Sequence, residues 1–448
     1  MKTTYSLLIS CTSYSTLFAF IILFCTTAFA QPPAEPIVSR ERMRLKAGDE
    51  VVDTVDRGEL LSVLEELEDA YVVITSRGKR GVVHKAYAAR LSEAVEVYDK
   101  LIEQNATEGR LYALRANAWW ARGEATRALE DFNRSIEAGY EQGYSGRGSC
   151  LAALGRHDEA ISDHSYVLKI DPENEAAFIN RAAVYMAQQK FAEALKDYSE
   201  AIGLNGKRAS TFQQRAVAWK QVGIFDKAIE DFGMALKLNP DSVPALMGRG
   251  YLWFQTDEPE RAVADFTLVL KINPKEAQAY NNRGFNYRLL GDYQRALADF
   301  DQAVQLNPDY ALAHQNKAWL LASAPGEGIR DGKRAVAAAS KACELNNYKD
   351  GDDLKALAAA FAEAGQFDKA VGWQEKVVDL APEEEKSFEE GIAKKYRAKE
   401  QFRLSDAADT EETGTAEKTQ GTAETKEAKD KETKDTQAAD KADELKPS

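Results

Sequence analysis

The sequence predicts a mainly helical fold, in which an array of helical hairpins follows a small β-rich domain. Its clearest sign is self-similarity, because an alanine recurs at a spacing close to 34 residues, as in Ala194, Ala228, Ala262 and Ala296. A large side chain follows most of these alanines four positions later, and a proline follows several of them twelve positions later. A period of this length indicates one repeated two-helix unit that buries its apolar face against its neighbours.

Composition and charge narrow the classes of function. The chain has 448 residues, of which 44% are hydrophobic, and a formal net charge of −14 at pH 7. That apolar fraction is enough for a packed core along most of the length. The acidic balance argues against nucleic acid as the principal partner, because phosphate binding requires a basic face.

The stretch 279–308 is the most regular copy of the repeat. In order it carries an aromatic residue, Gly284, Tyr287, Ala296, Phe300 and Pro308. This order resembles the tetratricopeptide repeat, and the resemblance extends over about residues 89–382. It implies a right-handed α-solenoid that binds other proteins. Small residues and the alanine anchors are expected to let the two helices of a hairpin approach closely, with aromatic rings filling the space between hairpins.

The period divides the chain into segments. We expect a leading half-repeat helix over 89–108, eight full units, a capping helix over 385–404 and a disordered charged tail over 405–448. The eight units are 109–140, 141–174, 175–208, 209–242, 243–276, 277–310, 311–350 and 351–384. The seventh unit contains an insertion, 323–333, whose glycines and proline predict a surface loop.

Two charged columns run through the units in parallel. Arginine occupies the seventh position of six consecutive units, and aspartate stands three residues after the alanine anchor of the same six. The arginines are Arg115, Arg147, Arg181, Arg215, Arg249 and Arg283, and the aspartates are Asp131, Asp163, Asp197, Asp231, Asp265 and Asp299. Because both columns end together, we expect an ion pair inside each hairpin, with a structural role.

The resemblance implies that the first helix of each hairpin lines a concave groove. At its later units the corresponding positions are aromatic, amide or cationic, as a peptide ligand requires. The candidate peptide-binding residues are Met247, Tyr251, Phe254, Asn281, Phe285, Arg288, Gln315 and Trp319. Alternatively, these rings pack against neighbouring helices. The family's lysine clamp for a terminal carboxylate is not predicted, since Ala113, Ser145 and Ile179 occupy its lysine position.

The stretch 36–88 has a different residue pattern from the repeats. Short β-branched runs at 50–55, 60–64, 71–75 and 80–84 are separated by turn-forming residues and predict a small antiparallel barrel. Gly58-Glu-Leu-Leu and Gly81-Val-Val-His84 resemble a bacterial SH3-like domain. Val82 stands where that family usually has tryptophan, which puts an aromatic peptide or cell-wall site in doubt.

The first 30 residues have the pattern of an export signal. Lys2 is the only charged residue before Glu35, an apolar stretch follows it, and Ala28-x-Ala30 fits cleavage by signal peptidase. We therefore expect a signal peptide over 1–30 and an exported, periplasmic or cell-envelope protein. The alternative is an uncleaved membrane anchor, because the uncharged run is long enough to span a bilayer.

Residues suited to catalysis or metal binding form no recognised motif. His157 and His164 are seven residues apart, but His164 occupies the aromatic column and is expected to be a core residue. Cys150 and Cys343 are too far apart in an extended array to form a disulfide. We expect no enzymatic activity, catalytic residue, metal or cofactor.

The resulting prediction is a non-catalytic scaffold of the bacterial envelope that binds a peptide or protein segment. The alternative is a cell-wall-associated protein that attaches through its SH3-like domain to peptidoglycan or protein, with the repeats as spacer. The expected partners are proteins or peptides, with cell-wall contact left open and membrane contact only if the leader is retained.

Overall fold

The computed structural model describes residues 35–48 and 50–404. In this part of the chain a small antiparallel sheet is followed by 18 α-helices, so the predicted mainly helical fold class is confirmed. The predicted signal peptide, 1–30, and the predicted disordered tail, 405–448, lie outside the described residues. The chain divides into two compact units, the first ending at Glu258 and the second beginning at Pro259.

Seven antiparallel strands form the N-terminal sheet. They are β1 (Ile37–Ser39), β2 (Met43–Ala47), β3 (Glu50–Val55), β4 (Leu60–Glu66), β5 (Ala70–Ile74), β6 (Arg80–His84) and β7 (Ala88–Arg90). Their order across the sheet is β3-β2-β6-β5-β4-β1-β7. Between β5 and β6, Val73 pairs with Gly81 and Tyr71 with Val83, which places Val73 and Val83 in the core of the sheet and Val82 on its outer face.

The sheet contains more strands than the sequence patterns predict. Strands β3, β4, β5 and β6 coincide with the predicted runs, whereas β1, β2 and β7 are additional. The helix expected over 89–108 is wrong at its start, because Ala88–Arg90 pair with β1 and the helix begins only at Val95. Pairing with β1 satisfies the backbone groups of these residues, and the alanines at 88 and 89 are too small to show a strand pattern.

The first helix, α1 (Val95–Gln104), packs on the sheet. Tyr98 is buried, and its hydroxyl donates a hydrogen bond to the carbonyl oxygen of Gly58 at 3.3 Å. Gly58 has a φ of +81°, and a Cβ atom added to it would lie 2.6 Å from Leu101 Cδ1. Glycine is therefore required here both for the turn and for the approach of the helix.

Nine further helices complete the described part of the first unit. They are α2 (Gly109–Ala121), α3 (Ala125–Glu137), α4 (Gly143–Ala153), α5 (His157–Ile170), α6 (Glu175–Ala187), α7 (Phe191–Leu204), α8 (Ala209–Gln221), α9 (Phe225–Leu238) and α10 (Val243–Gln255). Consecutive helices pair into hairpins, as α2 with α3 and α8 with α9.

The second unit contains the remaining eight helices of the described chain. They are α11 (Pro259–Ile272), α12 (Ala277–Leu289), α13 (Tyr293–Leu306), α14 (Ala311–Ser323), α15 (Gly332–Leu345), α16 (Gly351–Glu363), α17 (Phe367–Leu380) and α18 (Glu383–Arg397). None of the helices within residues 35–48 and 50–404 is long and apolar enough to cross a membrane.

Aromatic rings fill the space between hairpins, as the sequence predicts. The alanine anchors are fully buried, which lets the two helices of a hairpin approach closely. A Cβ atom at Gly284 would lie 3.0 Å from Phe300 Cε1 of the same hairpin. A Cβ atom at Gly146 would lie 2.2 Å from Phe132 Cζ of the preceding hairpin. These rings thus pack against small residues of their own hairpin or of the next.

Two segments near the C-terminus differ from expectation. Helix α18 begins at Glu383 and ends at Arg397, whereas the sequence predicts a cap over 385–404. The chain then turns at Lys399, which has a φ of +61°, and residues 400–403 have no regular secondary structure. The insertion predicted over 323–333 is a shorter loop, since α14 includes Ser323 and α15 begins at Gly332.

Candidate functional site

The predicted arginine–aspartate column is a set of paired hydrogen bonds inside the hairpins. In the hairpin of α6 and α7, Arg181 donates from Nε to Asp197 Oδ2 at 2.7 Å and from Nη2 to Asp197 Oδ1 at 2.8 Å. The same paired geometry joins Arg115 to Asp131, Arg147 to Asp163, Arg215 to Asp231 and Arg283 to Asp299. Hydrogen bonding to its aspartate raises the pKa of Arg181 above its ordinary value.

The third guanidinium nitrogen of these arginines reaches the preceding repeat, a contact that the sequence pattern does not predict. Arg181 Nη1 donates to Ser165 Oγ at 2.9 Å, and Arg115 Nη1 lies 2.7 Å from Asp99 Oδ1. At the unit where arginine is replaced, Lys317 pairs with Asp301 of the preceding hairpin at 2.6 Å. Asp301 and Ser165 occupy equivalent positions, two residues after the column aspartates. The column therefore also links neighbouring hairpins.

A second column of cations on aromatic rings is visible only in the structure. The guanidinium of Arg127 lies 4.7 Å from the centre of the Trp119 ring, and Lys227 Nζ lies 4.5 Å from that of Trp219. Arg295 on Tyr287 and Lys369 on Phe361 repeat the contact. In each pair the cation follows the ring by eight residues, a spacing in the sequence that could have indicated it. These pairs lie within hairpins and stabilise them.

In the first unit, the predicted groove residues Met247, Tyr251 and Phe254 lie on α10. Tyr251 is 37% exposed, and its ring packs edge-on against Phe254 at 6.2 Å between centroids. Lys220, from α8 of the preceding hairpin, places its Nζ 4.5 Å from the centre of the Tyr251 ring. Burial lowers the pKa of Lys220, because the surroundings disfavour its charged form.

In the second unit, Asn281 does not line an open groove. Its side chain is only 2% exposed, and its Oδ1 accepts a hydrogen bond from Asn316 Nδ2 at 2.9 Å. Asn281 therefore links α12 to α14. Phe285 and Arg288 are partly exposed, and the Arg288 guanidinium lies 4.4 Å from the centre of the Phe285 ring.

The two remaining groove residues, Gln315 and Trp319, are also engaged inside the second unit. Gln315 hydrogen bonds to the carboxyl of Asp353, whose pKa burial raises to about 6. Trp319 is partly buried, and Phe402, from the segment after α18, packs on it at 5.7 Å between ring centroids. The predicted groove residues thus differ in accessibility, which the repeat pattern does not show.

Residues with catalytic or metal-binding side chains are dispersed. His164 is buried in the aromatic column, and burial lowers its pKa to about 4. Cys150 and Cys343 are buried and free, and burial raises the pKa of both thiols to about 12. Within residues 35–48 and 50–404, no group of three or more His, Cys, Asp or Glu side chains is placed to hold a metal ion.

Family comparison agrees with the hairpin geometry. Two sequence models described as tetratricopeptide repeat match residues 218–277 and 277–310. The chain contains tetratricopeptide repeats. The matched residues include α9 to α13 with their intervening turns, and they contain Asp231, Arg249, Asp265, Arg283 and Asp299 of the charged columns.

Curated relatives share part of this array. A small glutamine-rich tetratricopeptide repeat-containing protein 2 of Mycosarcoma maydis is 29% identical over 104 residues, 23% of this chain and 28% of the relative. A TPR repeat-containing thioredoxin of Arabidopsis thaliana is 32% identical over 88 residues, 19% of this chain and 23% of the relative. The chain thus spans about a quarter of the length of these relatives.

Solved structures of tetratricopeptide repeat (TPR) proteins are similar at low identity. The C-terminal part of a TPR protein from Cytophaga hutchinsonii is 19% identical, with 54% of this chain and 98% of that chain covered and a TM-score of 0.47. A Parabacteroides merdae protein is 19% identical, with 59% and 98% covered and a TM-score of 0.41. YrrB, described as a TPR protein with an unusual peptide-binding site, is 20% identical, with 49% and 97% covered and a TM-score of 0.33.

Proposed function

We propose that this protein is a non-catalytic scaffold that binds a segment of another protein on the first helices of its TPR hairpins. The observation that carries the proposal is the pair of Lys220 and Tyr251 on α8 and α10. Tyrosine and a cation on adjacent first helices are the groups that anchor peptides in protein interfaces.

The environment of Lys220 favours an acidic ligand. Its ammonium lies on the Tyr251 ring, and among the described residues no carboxylate pairs with it. A half-buried ammonium without a counter-ion loses part of its hydration without regaining it from an ion pair. A carboxylate on a bound peptide would restore this interaction, while an apolar side chain of the peptide would cover Tyr251, Phe254 and Met247.

Selection of peptides tests this proposal directly. Random peptides displayed on phage are selected on the full chain, and the recovered peptides are measured against Lys220→Glu/Tyr251→Ala. We expect recovered peptides to carry an acidic residue next to an apolar one and to lose about tenfold or more in affinity for the variant. Both changed residues lie on partly exposed helix surface, so the helical content should be retained in circular dichroism.

Tyr87→Ala is a control, because Tyr87 is also an exposed tyrosine, 48% against 37% for Tyr251, and lies far from α8 and α10 in the turn between β6 and β7. It should leave peptide affinity unchanged. Recovery of peptides that bind Lys220→Glu/Tyr251→Ala as well as the unchanged chain would contradict the proposed site. Failure to recover any peptide would contradict peptide binding as the function.

We further propose that the protein works outside the cytoplasm, in the bacterial envelope, after cleavage of residues 1–30. The proposal rests on the leader pattern that ends at Ala28-x-Ala30. Intact mass measurement of the protein from its native host should give a chain that begins at Gln31. A chain that retains its leader and sediments with membranes would support the uncleaved anchor instead.

A second candidate function is attachment to the cell wall through the N-terminal sheet. Val82 on β6 and Val51 on β3 are both opposite Lys46 of the intervening β2, and Val82 is 44% exposed. Exposed valines on one face of a sheet favour a contact there. The full chain should sediment with purified peptidoglycan, and Val82→Glu/Val51→Glu should reduce this. Equal sedimentation of variant and unchanged chain would reject the contact.

A further inference from the structure

The segment after α18 folds back onto α14 and α16 of the second unit. Phe402 is only 6% exposed and belongs to the same buried cluster as Ile392 and Tyr396 of α18. Its ring lies 5.7 Å from that of Trp319, at an interplanar angle of 43°. The left-handed backbone of Lys399 reverses the chain after α18 and brings Phe402 to this position.

The residue after Phe402 adds a polar contact of defined geometry. Arg403 Nη1 lies 2.8 Å from Glu363 Oε2 at the end of α16, and it donates to the carbonyl oxygen of Ala322 on α14 at 3.2 Å. Ala322 is 81 residues before Arg403 in the chain, so the tertiary fold creates this contact. Phe402 and Arg403 thus contact different groups on one surface. The ring packs on Trp319, and the guanidinium contacts Glu363 and the Ala322 carbonyl.

The insertion between α14 and α15 holds this surface in place. Arg330 Nε lies 3.2 Å from Glu363 Oε1, while its Nη1 donates to the carbonyl oxygens of Ala324 and Pro325, each at 2.9 Å. The other oxygen of Glu363 is left to Arg403. The insertion therefore orients the carboxylate that binds the arginine of the segment, a role that its loop-like sequence does not reveal.

We propose that Trp319, Glu363 and the Ala322 carbonyl form a second binding site, for a partner segment with an aromatic residue followed by arginine. The chain's own Phe402 and Arg403 fill the site and define the chemistry of its ligand. A partner segment with the same pair of side chains takes their place. This site uses none of the residues proposed for the acidic peptide, so the result of its test is independent of the test of the proposed function.

Residues 400–403 lack regular secondary structure, so they can leave the surface without the unwinding of a helix. A partner segment then competes with a tethered ligand. Tethering raises the effective concentration of Phe402 and Arg403, so the intact chain binds a partner weakly and a chain without these side chains binds it strongly.

A labelled peptide with the sequence of residues 398–404 tests the site by fluorescence anisotropy. It is titrated with the intact full chain, with Phe402→Ala/Arg403→Ala and with Phe402→Ala/Arg403→Ala/Glu363→Gln. We expect the double variant to bind about tenfold or more tightly than the intact chain, and the triple variant to lose about tenfold of that affinity. A peptide in which alanine replaces the phenylalanine and arginine should not bind the double variant.

Equal binding to the intact chain and to a folded double variant would overturn the proposal. If the double variant loses helix in circular dichroism, Arg403→Glu replaces it, because two carboxylates repel and release the segment while Phe402 is retained. Arg403→Glu should then bind the peptide more tightly than the intact chain, and no gain would overturn the proposal. Light scattering should show a monomeric intact chain. A dimer that Phe402→Ala/Arg403→Ala dissociates would assign the segment to a second copy and overturn the assignment to a partner protein.

Discussion

At the scale of single residues, the arginine–aspartate pairs show how a repeat accommodates a buried carboxylate. Asp197 is buried, and both of its oxygens accept hydrogen bonds from Arg181. The planar guanidinium matches two carboxylate oxygens at once, which lysine cannot do. Where the column ends, Lys317 turns to a single aspartate of the preceding hairpin. Its own hairpin has Ala338 at the aspartate position, so the preceding hairpin supplies the partner.

Removal of one member of such a pair should be costly. Asp197→Ala leaves the Arg181 guanidinium in a largely buried position with Ser165 as its remaining hydrogen-bond partner. We expect the free energy of unfolding of the affected hairpins to fall by about 3 kcal/mol, as measured by urea denaturation. Glu159→Ala is the control, since Glu159 also forms a carboxylate–guanidinium pair, with Arg156, but on the exposed surface. A loss as large in the control would show that burial is not the cause.

His164 is a second residue whose buried environment determines its charge state. It takes the place of phenylalanine or tyrosine in the aromatic column, and a Cβ atom at Gly148 would lie 2.8 Å from its Cε1. Burial lowers its pKa to about 4 from an ordinary 6.5, a shift that Asp163 opposes and Arg181 reinforces. The folded protein therefore keeps this imidazole neutral at a pH where the unfolded chain binds a proton.

His164→Phe should remove a source of acid sensitivity. Because the unfolded chain protonates His164 near pH 6.5 and the folded chain only near pH 4, its contribution to stability falls as the pH drops through that window. Between pH 7 and pH 5 the unchanged chain should lose about 2 kcal/mol more than His164→Phe in urea unfolding. His314→Phe should remove a smaller part of this loss, because burial also lowers the pKa of the partly buried His314 but its contact with the Pro308 carbonyl raises it. Equal loss in the chain and in His164→Phe would contradict the assignment.

At the scale of elements, glycines determine how closely one helix can approach the next. Gly332 begins α15, and a Cβ atom there would lie 2.5 Å from the backbone nitrogen of Ala364 at the end of α16. Backbone atoms of a packed helix cannot move aside as the end of a long side chain can. The insertion before α15 therefore leads into a contact that only glycine fits.

Gly332→Ala should separate α15 from α16. We expect thermal unfolding of the second unit to show a loss of about 2 kcal/mol or more, as overpacking causes. Gly372→Ala is the matched control, because Gly372 lies inside α17 with no neighbouring atom within 4 Å of an added Cβ. Alanine at that position should raise stability by about 0.5–1 kcal/mol. A stable Gly332→Ala would contradict the close approach.

At the scale of the whole molecule, a repeat array distributes its stability over neighbouring contacts. Within each unit, a hairpin packs mainly on the hairpins before and after it, so a substitution in one should affect mainly its neighbours. The N-terminal sheet has a core of its own that includes Leu45, Leu61 and Val73. It joins the first hairpins through α1, where Tyr98 and Val95 pack beside Val38.

Ala228→Leu tests this locality by hydrogen exchange. Ala228 is fully buried at the anchor position of α9, so leucine should overpack the hairpin by about 1–3 kcal/mol. Amide exchange should accelerate in α8 and α9 and less in α7 and α10, whereas β1 to β7 should keep their protection. Val217→Leu, on the exposed face of α8, should change none of these rates. Acceleration throughout the sheet would show that the first unit unfolds as one cooperative body.

The sequence by itself determined the repeating hairpin and its internal pairs. Alanine anchors, aromatic partners and the arginine and aspartate columns recur with one period, and each belongs to a contact between residues about 16 positions apart or fewer. Such contacts follow from helix geometry and a short turn, which local patterns encode. The cations that follow aromatic rings by eight residues have an equally short spacing, although the structure is what shows that each cation lies on its ring.

Only the tertiary structure decided which predicted groove residues are accessible. Asn281 is buried and accepts a hydrogen bond from Asn316, and Trp319 is covered by Phe402 from a segment more than 80 residues later. Likewise, the short strands β1 and β7 exist because their backbones pair although Ile37 and its partner Arg90 are 53 residues apart in the chain. The side chains involved have no periodic pattern, since these contacts depend on where distant elements meet and not on local propensity.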